Sequence, residues 1–245
     1  MADLDIVIPV YNEGANIRGV LDALGRHVRS PFRVLICYDH ADDDTLPVLE
    51  AYRPKNFDIE LIRNAGQGAF GAVVTGFAAS RAPAVLMLPA DDDYNAPRID
   101  ALVEKFQAGC DIVAPSRFAP GGRMVGCPPL KAFLVRTSAF ALHHLARLPV
   151  TDPSNGFRLF SSRVIKSVPL ESTKGFAFSI ELLVKVHRLG WAIGEVPVEW
   201  FERKAGESRF RVMRWLPQYL RWFLYGFATT WFHRNPSTVK LRRTI

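Results

Sequence analysis

AVLMLPADDDYN, residues 84–95, opens with five apolar or small residues, Ala84 to Leu88, and then meets three consecutive aspartates. A short apolar run of this length reads as a buried strand, so a cluster of negative charge stands at a strand's carboxyl end. In open α/β sheets, ligands bind outside those ends. Asp91 and Asp93, at i and i+2, can turn to one side of a tight loop and offer paired hard oxygens to Mg²⁺ or Mn²⁺. Such a cation keeps part of its shell for substrate phosphate. The same residues also fit a solvated acidic turn, with Asp93 or Asn95 capping a helix that starts near Pro97.

Upstream, Leu4 to Val10 is an apolar run broken only by Asp5, and a helical pattern follows with Ile17, Val20, Leu21 and Leu24 on one face. Phe32 to Tyr38 repeats the strand, Thr45 to Tyr52 the helix, Ile59 to Ile62 a third strand and Ala69 to Ala79 a third helix. Beyond the aspartates come a helix at Ile99 to Phe106 and a strand at Asp111 to Pro115. Strands alternating with helices imply βαβ units, hence an α/β fold with a mainly parallel sheet flanked by helices.

Parallel strands place their carboxyl ends along one edge. Tyr11-Asn12-Glu13 ends the first, Asp39 with Asp42-Asp43-Asp44 the second, and the aspartate triplet the fourth. Helix capping could account for Asp42 to Asp44 alone, whereas a shared crevice for a metal-bound polar ligand accounts for all three clusters. The third crossover holds Gly66, Gly68 and Gly71 in a GxGxxG spacing, with Asp91 20 residues past Gly71. That matches a dinucleotide fingerprint, but the fingerprint normally occupies the first βα turn, and two βα units precede this one. A glycine turn that lets backbone approach a ligand and opens a helix with free N–H groups is the better account.

The 245 residues can bury a full core, and 49% apolar with 22% charged residues suits a soluble α/β chain. The net charge of +7 favours an anionic partner. No nucleic-acid-binding module accompanies it. The three cysteines, Cys37, Cys110 and Cys127, show neither zinc spacing nor a disulfide framework. The amino terminus lacks a secretory pattern, so a cytosolic location, or one on the cytosolic face of a membrane, is expected.

Seven segments together resemble family-two glycosyltransferases of the GT-A (Rossmann-like) class, and within them the dolichyl- and polyprenyl-phosphate sugar synthases. They are IPVYNE (8–13), NAGQGAFGAVVTGF (64–77), ADDDYN (90–95), PSRF (115–118), DPSNGFRLF (152–160), GFAFSIELLVK (175–185) and EVPVEWFERKAGESRF (195–210). The resemblance implies an inverting transfer from a nucleoside diphosphate sugar to a polyprenyl phosphate. It places Pro9, Tyr11, Glu13 and Asp39 near the nucleotide, with Asn64, Gly68 and Asp92 beside them, and Asn95 with Asp91 and Asp93 on the metal. Three features depart from the family pattern. Tyr38 stands where paired aspartates are common, CPPLK (127–131) replaces an arginine-bearing turn, and Val135 occupies an expected serine position.

A lipid phosphate acceptor is already an anion and needs cationic positioning more than a base. Arg117, Lys131, Arg136 and Arg203 are the candidates, joined by Ser208. A hydroxyl acceptor on a glycan or small molecule needs a carboxylate base, and Glu181 stands where relatives carry theirs. A sugar-nucleotide-binding protein without transfer activity is a third reading.

The catalytic domain is expected to span 1–210, with C-terminal amphipathic helices and a basic tail in 211–245. Arg211, Arg214, Gln218, Arg221 and Tyr225 share one side. Val212, Leu216, Leu220, Phe223, Leu224, Phe227 and Trp231 lie mostly on the other, and Pro217 divides the segment into two helices. Its longest uncharged run, Trp222 to Phe232, has 11 residues, against about 20 needed to span a bilayer. It should therefore lie on a membrane surface, helped by Lys240 to Arg243, or else pack on the catalytic domain. A homo-oligomer or a small membrane subunit would be a further partner.

Overall fold

A computed structural model describes residues 2–201 and 212–242. Strands and helices alternate through the first half: β1 (Leu4–Val10), α1 (Gly14–His27), β2 (Phe32–Tyr38), α2 (Thr45–Ala51), β3 (Asp58–Arg63), α3 (Gly68–Ala79), β4 (Ala84–Met87), α4 (Ile99–Gln107) and β5 (Ile112–Ser116). Every element expected there is present, with bounds shifted by no more than one residue. The second half adds β6 (Arg123–Val125), α5 (Pro129–Phe140), a π-helical turn (Ala141–Leu145), β7 (Arg158–Ser161), α6 (Ser162–Ser167), α7 (Ala177–Leu189), β8 (Ile193–Pro197), β9 (Glu199–Phe201) and α8 (Val212–Trp231).

The main sheet has the order β3-β2-β1-β4-β7-β5-β8. All neighbours are parallel except β7, which runs against both β4 and β5. Successive strand residues face opposite sides, and here both sides are apolar, so helices cover both. Ile6, Ile8, Val34, Ile36 and Leu86 pack with α1 and α4 through Ile17, Leu21, Leu24 and Leu102. Val7, Leu35, Val85 and Met87 pack with α3, α7 and α8 through Val73, Phe77, Leu182 and Trp222. Strand order reverses between β1 and β4, and their carboxyl ends therefore form the switch-point crevice in which such sheets bind ligands.

Asp5, the charge inside the first apolar run, is buried and accepts hydrogen bonds from Arg33 Nε and Nη2, Ser80 Oγ and the Arg81 and Ala82 amides, at 2.7–3.0 Å. It ties β1 to β2 and to the turn ahead of β4. Gly76 lets α3 lie close on the sheet, since a Cβ there would stand 2.4 Å from Val7 Cγ1.

Pro217 does not divide the C-terminal segment: α8 is one helix with Pro217 inside it, in its second turn. The proline removes a single N–H near the helix start, and packing further along holds the rest. The two-sided reading of this helix is also incomplete. Trp222 and Gly226 are buried against the core, Leu216, Leu220, Leu224 and Trp231 are exposed on a second face, and Arg221 lies on a third.

Candidate functional site

Three strand ends are knitted together by backbone N–H groups that find carboxylates. Asn12, in the left-handed region at φ 54°, donates its amide to Asp43, and Gly14 donates to Asp44 Oδ1. The Glu13 amide donates to Thr45 Oγ1. Asp43 and Asp44, in the loop after β2, therefore satisfy the open start of α1. Tyr11 is exposed and meets His40 edge-on, and a small cavity of about 50 Å³ lies among Tyr11, Asn12, His40, Asp42 and Asp43. The Glu13 carboxylate accepts from Asn16 Nδ2, while Pro9 lies half-buried in β1.

The glycine turn is built on Asp39. Its carboxylate accepts from Asn64 Nδ2 and from the Gly68 amide at 2.8 Å, and Asn64 Oδ1 accepts from the Gly66 amide. Gly68 sits at φ +64° with open space around it, and Gly66 and Gly71 approach so closely that a Cβ on either would stand 3.0–3.1 Å from the other's backbone. Asp39, Asn64 and Gly68 are thus brought together, and the exposed start of α3 opens at the crevice.

In the aspartate triplet, Asp91 is half-buried, Asp93 is exposed and Asp92 is buried. Asp93 lies beside α1, its Oδ2 3.7 Å from where a Gly19 Cβ would stand. Asp92 accepts from the amide and the side chain of Asn95. Burial pushes the Asp92 carboxyl up to about 7, against the Asn95 hydrogen bonds and with a further push from Asp91 and Asp93.

Asn95 is a correction. It is buried, its Nδ2 donates to Asp92 and to the Glu199 carbonyl, and its Oδ1 accepts the Glu199 amide. Its side chain pins the loop to β9, and both of its polar atoms have protein partners there. Among the described residues, no three His, Cys, Asp or Glu side chains are grouped to hold an ion. Asp91 and Asp93 still fit one, because two hard carboxylates suit a cation that completes its shell with water and diphosphate.

Arg117 is also placed otherwise than expected. Its Nε and Nη2 form a fork onto Asp152 at 2.6 and 2.8 Å, and Nη2 reaches Ser154 Oγ at 2.9 Å. Burial would push the Asp152 carboxyl up, but the Arg117 guanidinium holds it below its ordinary value. Beneath them Arg158 is buried, its Nη atoms on the carbonyls of Asp152, Pro153 and Ser179, and burial brings its pKa down to about 10. Lys131 stands over the Trp200 ring at 4.7 Å, and the exposed Arg136 over Phe118 at 5.5 Å. Arg203 and Ser208 lie outside the described residues.

Glu181 is the plainest correction. It is buried, accepts the Glu171 and Ser172 amides at 2.6 and 2.8 Å, and pairs with Lys185 Nζ at 2.6 Å. A carboxylate so enclosed fastens the 171–172 turn to α7 and does not face an acceptor.

Two features escaped the sequence reading. Asp152 stood only inside the family-like segment DPSNGFRLF (152–160), with no role attached to it. The second is α5, whose Leu130, Phe133, Leu134 and Phe140 are all more than half exposed. Their spacing marks an amphipathic helix but not whether the apolar face turns inward. The end of α8 joins this region, with Trp231 Nε1 donating to the Leu145 carbonyl and Thr230 to that of Ala146.

The model of the family described as glycosyl transferase family 2 matches residues 5–168. An undecaprenyl-phosphate mannosyltransferase of Micrococcus luteus is 27% identical over 209 residues, covering 83% of this chain and 85% of its own. A polyprenol monophosphomannose synthase of Mycolicibacterium smegmatis is 24% identical over 227 residues, 86% of this chain and 85% of that one. Among solved structures, glucosyl-3-phosphoglycerate synthase from Mycobacterium tuberculosis, in complex with Mn²⁺, UDP and glucosyl-3-phosphoglycerate, is similar with a TM-score of 0.70 at 19% identity. That likeness covers 93% of this chain and 80% of the other and is one of fold, the GT-A arrangement of a mostly parallel sheet between helices. The matched span takes in the β1 end, the glycine turn, the aspartate triplet and the Arg117–Asp152 fork, and the chain belongs to glycosyl transferase family 2.

Proposed function

We propose that the protein is a metal-dependent inverting glycosyltransferase that moves a sugar from a nucleoside diphosphate sugar to a polyprenyl phosphate at a membrane surface. The observation that carries this reading is the pairing of a polar crevice with an outward apolar helix. The aspartate loop is pinned by Asn95 to β9, and the next residue of β9, Trp200, lies under Lys131 of α5. Two contacts thus connect the triplet to a helix whose exposed apolar face is flanked by Lys131 and Arg136, the pattern of a helix lying in a lipid interface. Of the two relatives named above, one is a mannosyltransferase named for undecaprenyl phosphate and the other a synthase of polyprenol monophosphomannose, which supports the same acceptor class here.

In this reading the glycine turn receives the donor's phosphates and Asp91 and Asp93 hold the cation. When bound, that cation takes up charge building on the departing diphosphate. The acceptor phosphate attacks from the opposite side as an anion, and the enclosure of Glu181 accords with a reaction that needs no protein base. The apolar faces of α5 and α8 hold the enzyme on lipid, at the cytosolic surface, in keeping with three unpaired cysteines. No helix among the described residues is long and apolar enough to cross a membrane.

The test supplies GDP- and UDP-sugars with Mg²⁺ or Mn²⁺, with and without polyprenyl phosphate in vesicles. Transfer is expected only when the lipid phosphate is present, and Asp91→Asn or Asp93→Asn should slow it by roughly 100-fold or more, as for loss of a transition-state charge stabiliser. Transfer to a soluble hydroxyl acceptor in the absence of lipid phosphate would overturn the acceptor assignment.

A further inference from the structure

Arg117, the arginine nearest the end of β5, has its Nε–Nη2 edge on Asp152, whose charge offsets its own, while Nη1 meets Met124 Sδ at 4.0 Å. Beside this pair the fold leaves a cavity of about 460 Å³, with Phe118 and Thr151, the immediate chain neighbours of Arg117 and Asp152, in its wall. The opposite wall is α5 and the π-helical turn that extends it, contributing Arg136, Phe140, His143 and His144. Among the described residues, no acidic side chain lines it. Among the described residues Arg136 forms no ion pair, and its contact is the Phe118 ring. We propose that this cavity seats the phosphate monoester of the acceptor, with Arg136, His143 and His144 as its ligands; the inference rests on the reading that the acceptor is a phosphate.

The chemistry of each wall agrees. The cavity belongs to the same sheet edge as the aspartate triplet, because β4 and β5 both run antiparallel to β7 and so end on the same side. Arg136, without an ion pair among the described residues, brings a fork that matches two phosphate oxygens. His143 holds the Leu148 carbonyl through Nδ1 at 2.9 Å, which fixes the ring. Its Nε2 has no hydrogen-bond partner among the described residues. A phosphate monoester loses its second proton near pH 6, so one proton shared between Nε2 and a phosphate oxygen makes a hydrogen bond whichever atom holds it. His144 packs against Phe140 with ring centres 4.4 Å apart, and Phe140 continues the exposed apolar side of α5. A ligand with an anionic head and an apolar tail would find both halves of its surface matched. The widened turn brings His143 and His144 to one wall in succession, and π-turns inside helices recur at functional sites.

Calorimetry on the full chain, with farnesyl phosphate and glycerol phosphate as separate probes, tests this. Arg136→Gln and His144→Gln are the variants, both at exposed positions, with thermal melts to check folding. Each should weaken phosphate binding by roughly 10-fold or more, the scale of a lost charge-assisted hydrogen bond, while UDP or GDP binding with Mn²⁺ stays unchanged. Arg136→Lys, which keeps the charge and loses the fork, should recover part of the loss. If farnesyl phosphate binds by way of Arg136 and glycerol phosphate does not, the pocket takes a lipid phosphate. If only glycerol phosphate binds by way of Arg136, the pocket stands and the polyprenyl reading falls. Farnesyl phosphate binding equally to all variants would overturn the pocket and leave the acceptor reading in place. A wild-type protein that binds neither probe would overturn both.

Discussion

Asp152 and Asp5 are carboxylates held in charge by their partners, and both have pKa values below the ordinary carboxylate value, burial being outweighed by Arg117 in one case and by Arg33 with its neighbouring donors in the other. A depressed carboxylate contributes stability that is complete above the unfolded pKa, about 3.9 for aspartate, and is lost as pH falls through the lower folded value. The share of stability that these two carboxylates supply should therefore be lost below about pH 4, as a fall in the urea midpoint. Asp152→Asn should leave Arg117 buried without its countercharge, lower stability by about 3–5 kcal/mol and flatten that acid limb. An unaltered acid limb in the variant would show that the pair contributes nothing. Glu181→Gln leaves Lys185 among fewer partners and should cost a few kcal/mol by the same logic, with the transfer rate of the folded fraction kept within about threefold. The loss of about 10²–10⁴-fold in rate that follows removal of a general base, at an unchanged melting point, would return Glu181 to the chemistry. Residue types announced these groups, but a sequence does not say which way a carboxylate faces. Asn95 and Glu181 looked like ligand and base until their hydrogen bonds were seen to be spent within the fold. Asp39, Asn64 and Gly68 were legible because strand ends fix their position before any side chain turns.

At the scale of elements, α3 and the sheet are set by an absent side chain. Gly76→Ala would gain about 1 kcal/mol of helix propensity, but the added Cβ meets Val7 Cγ1 and Cys37 Sγ, at 2.4 and 3.0 Å. Overpacking of this kind costs about 1–3 kcal/mol, and the melting point should fall. A rise would mean that α3 can lift off the sheet without penalty. The alternation of α and β up to β5 was readable because β1, β2, β4 and β5 are near-continuous apolar runs set off by polar turns from the helices between them. After Ser116 the signal fails for physical reasons. β6 and β9 have three residues each, too few for a period, and β7 runs backwards, which its composition does not reveal. In α8, docking and outward faces are both apolar, so periodicity merged Phe223 and Phe227, which pack on the core, with the exposed Leu220 and Leu224.

For the whole molecule, the proposed membrane surface would be met by both the net charge of +7 and the outward faces of α5 and α8. The protein should sediment with vesicles containing anionic lipid, more weakly as salt rises, since surface attraction is screened within about 8 Å at physiological ionic strength. Leu220→Glu with Leu224→Glu should release much of it into the supernatant at an unchanged melting point, because both side chains already face outward. Equal sedimentation of variant and parent would assign that face to something other than lipid. The clamp on α8 carries a further consequence. Its inner face is fixed to the body by Trp222 Nε1 on Ser172 Oγ and by Arg188 on Thr229 and the Tyr225 carbonyl. A helix fastened along its length and lying flat has no span to match, so acyl-chain length should leave the enzyme indifferent. On the proposed membrane surface it would meet only the outer few ångströms of the bilayer, and its rate should track head-group crowding, surface tension and curvature.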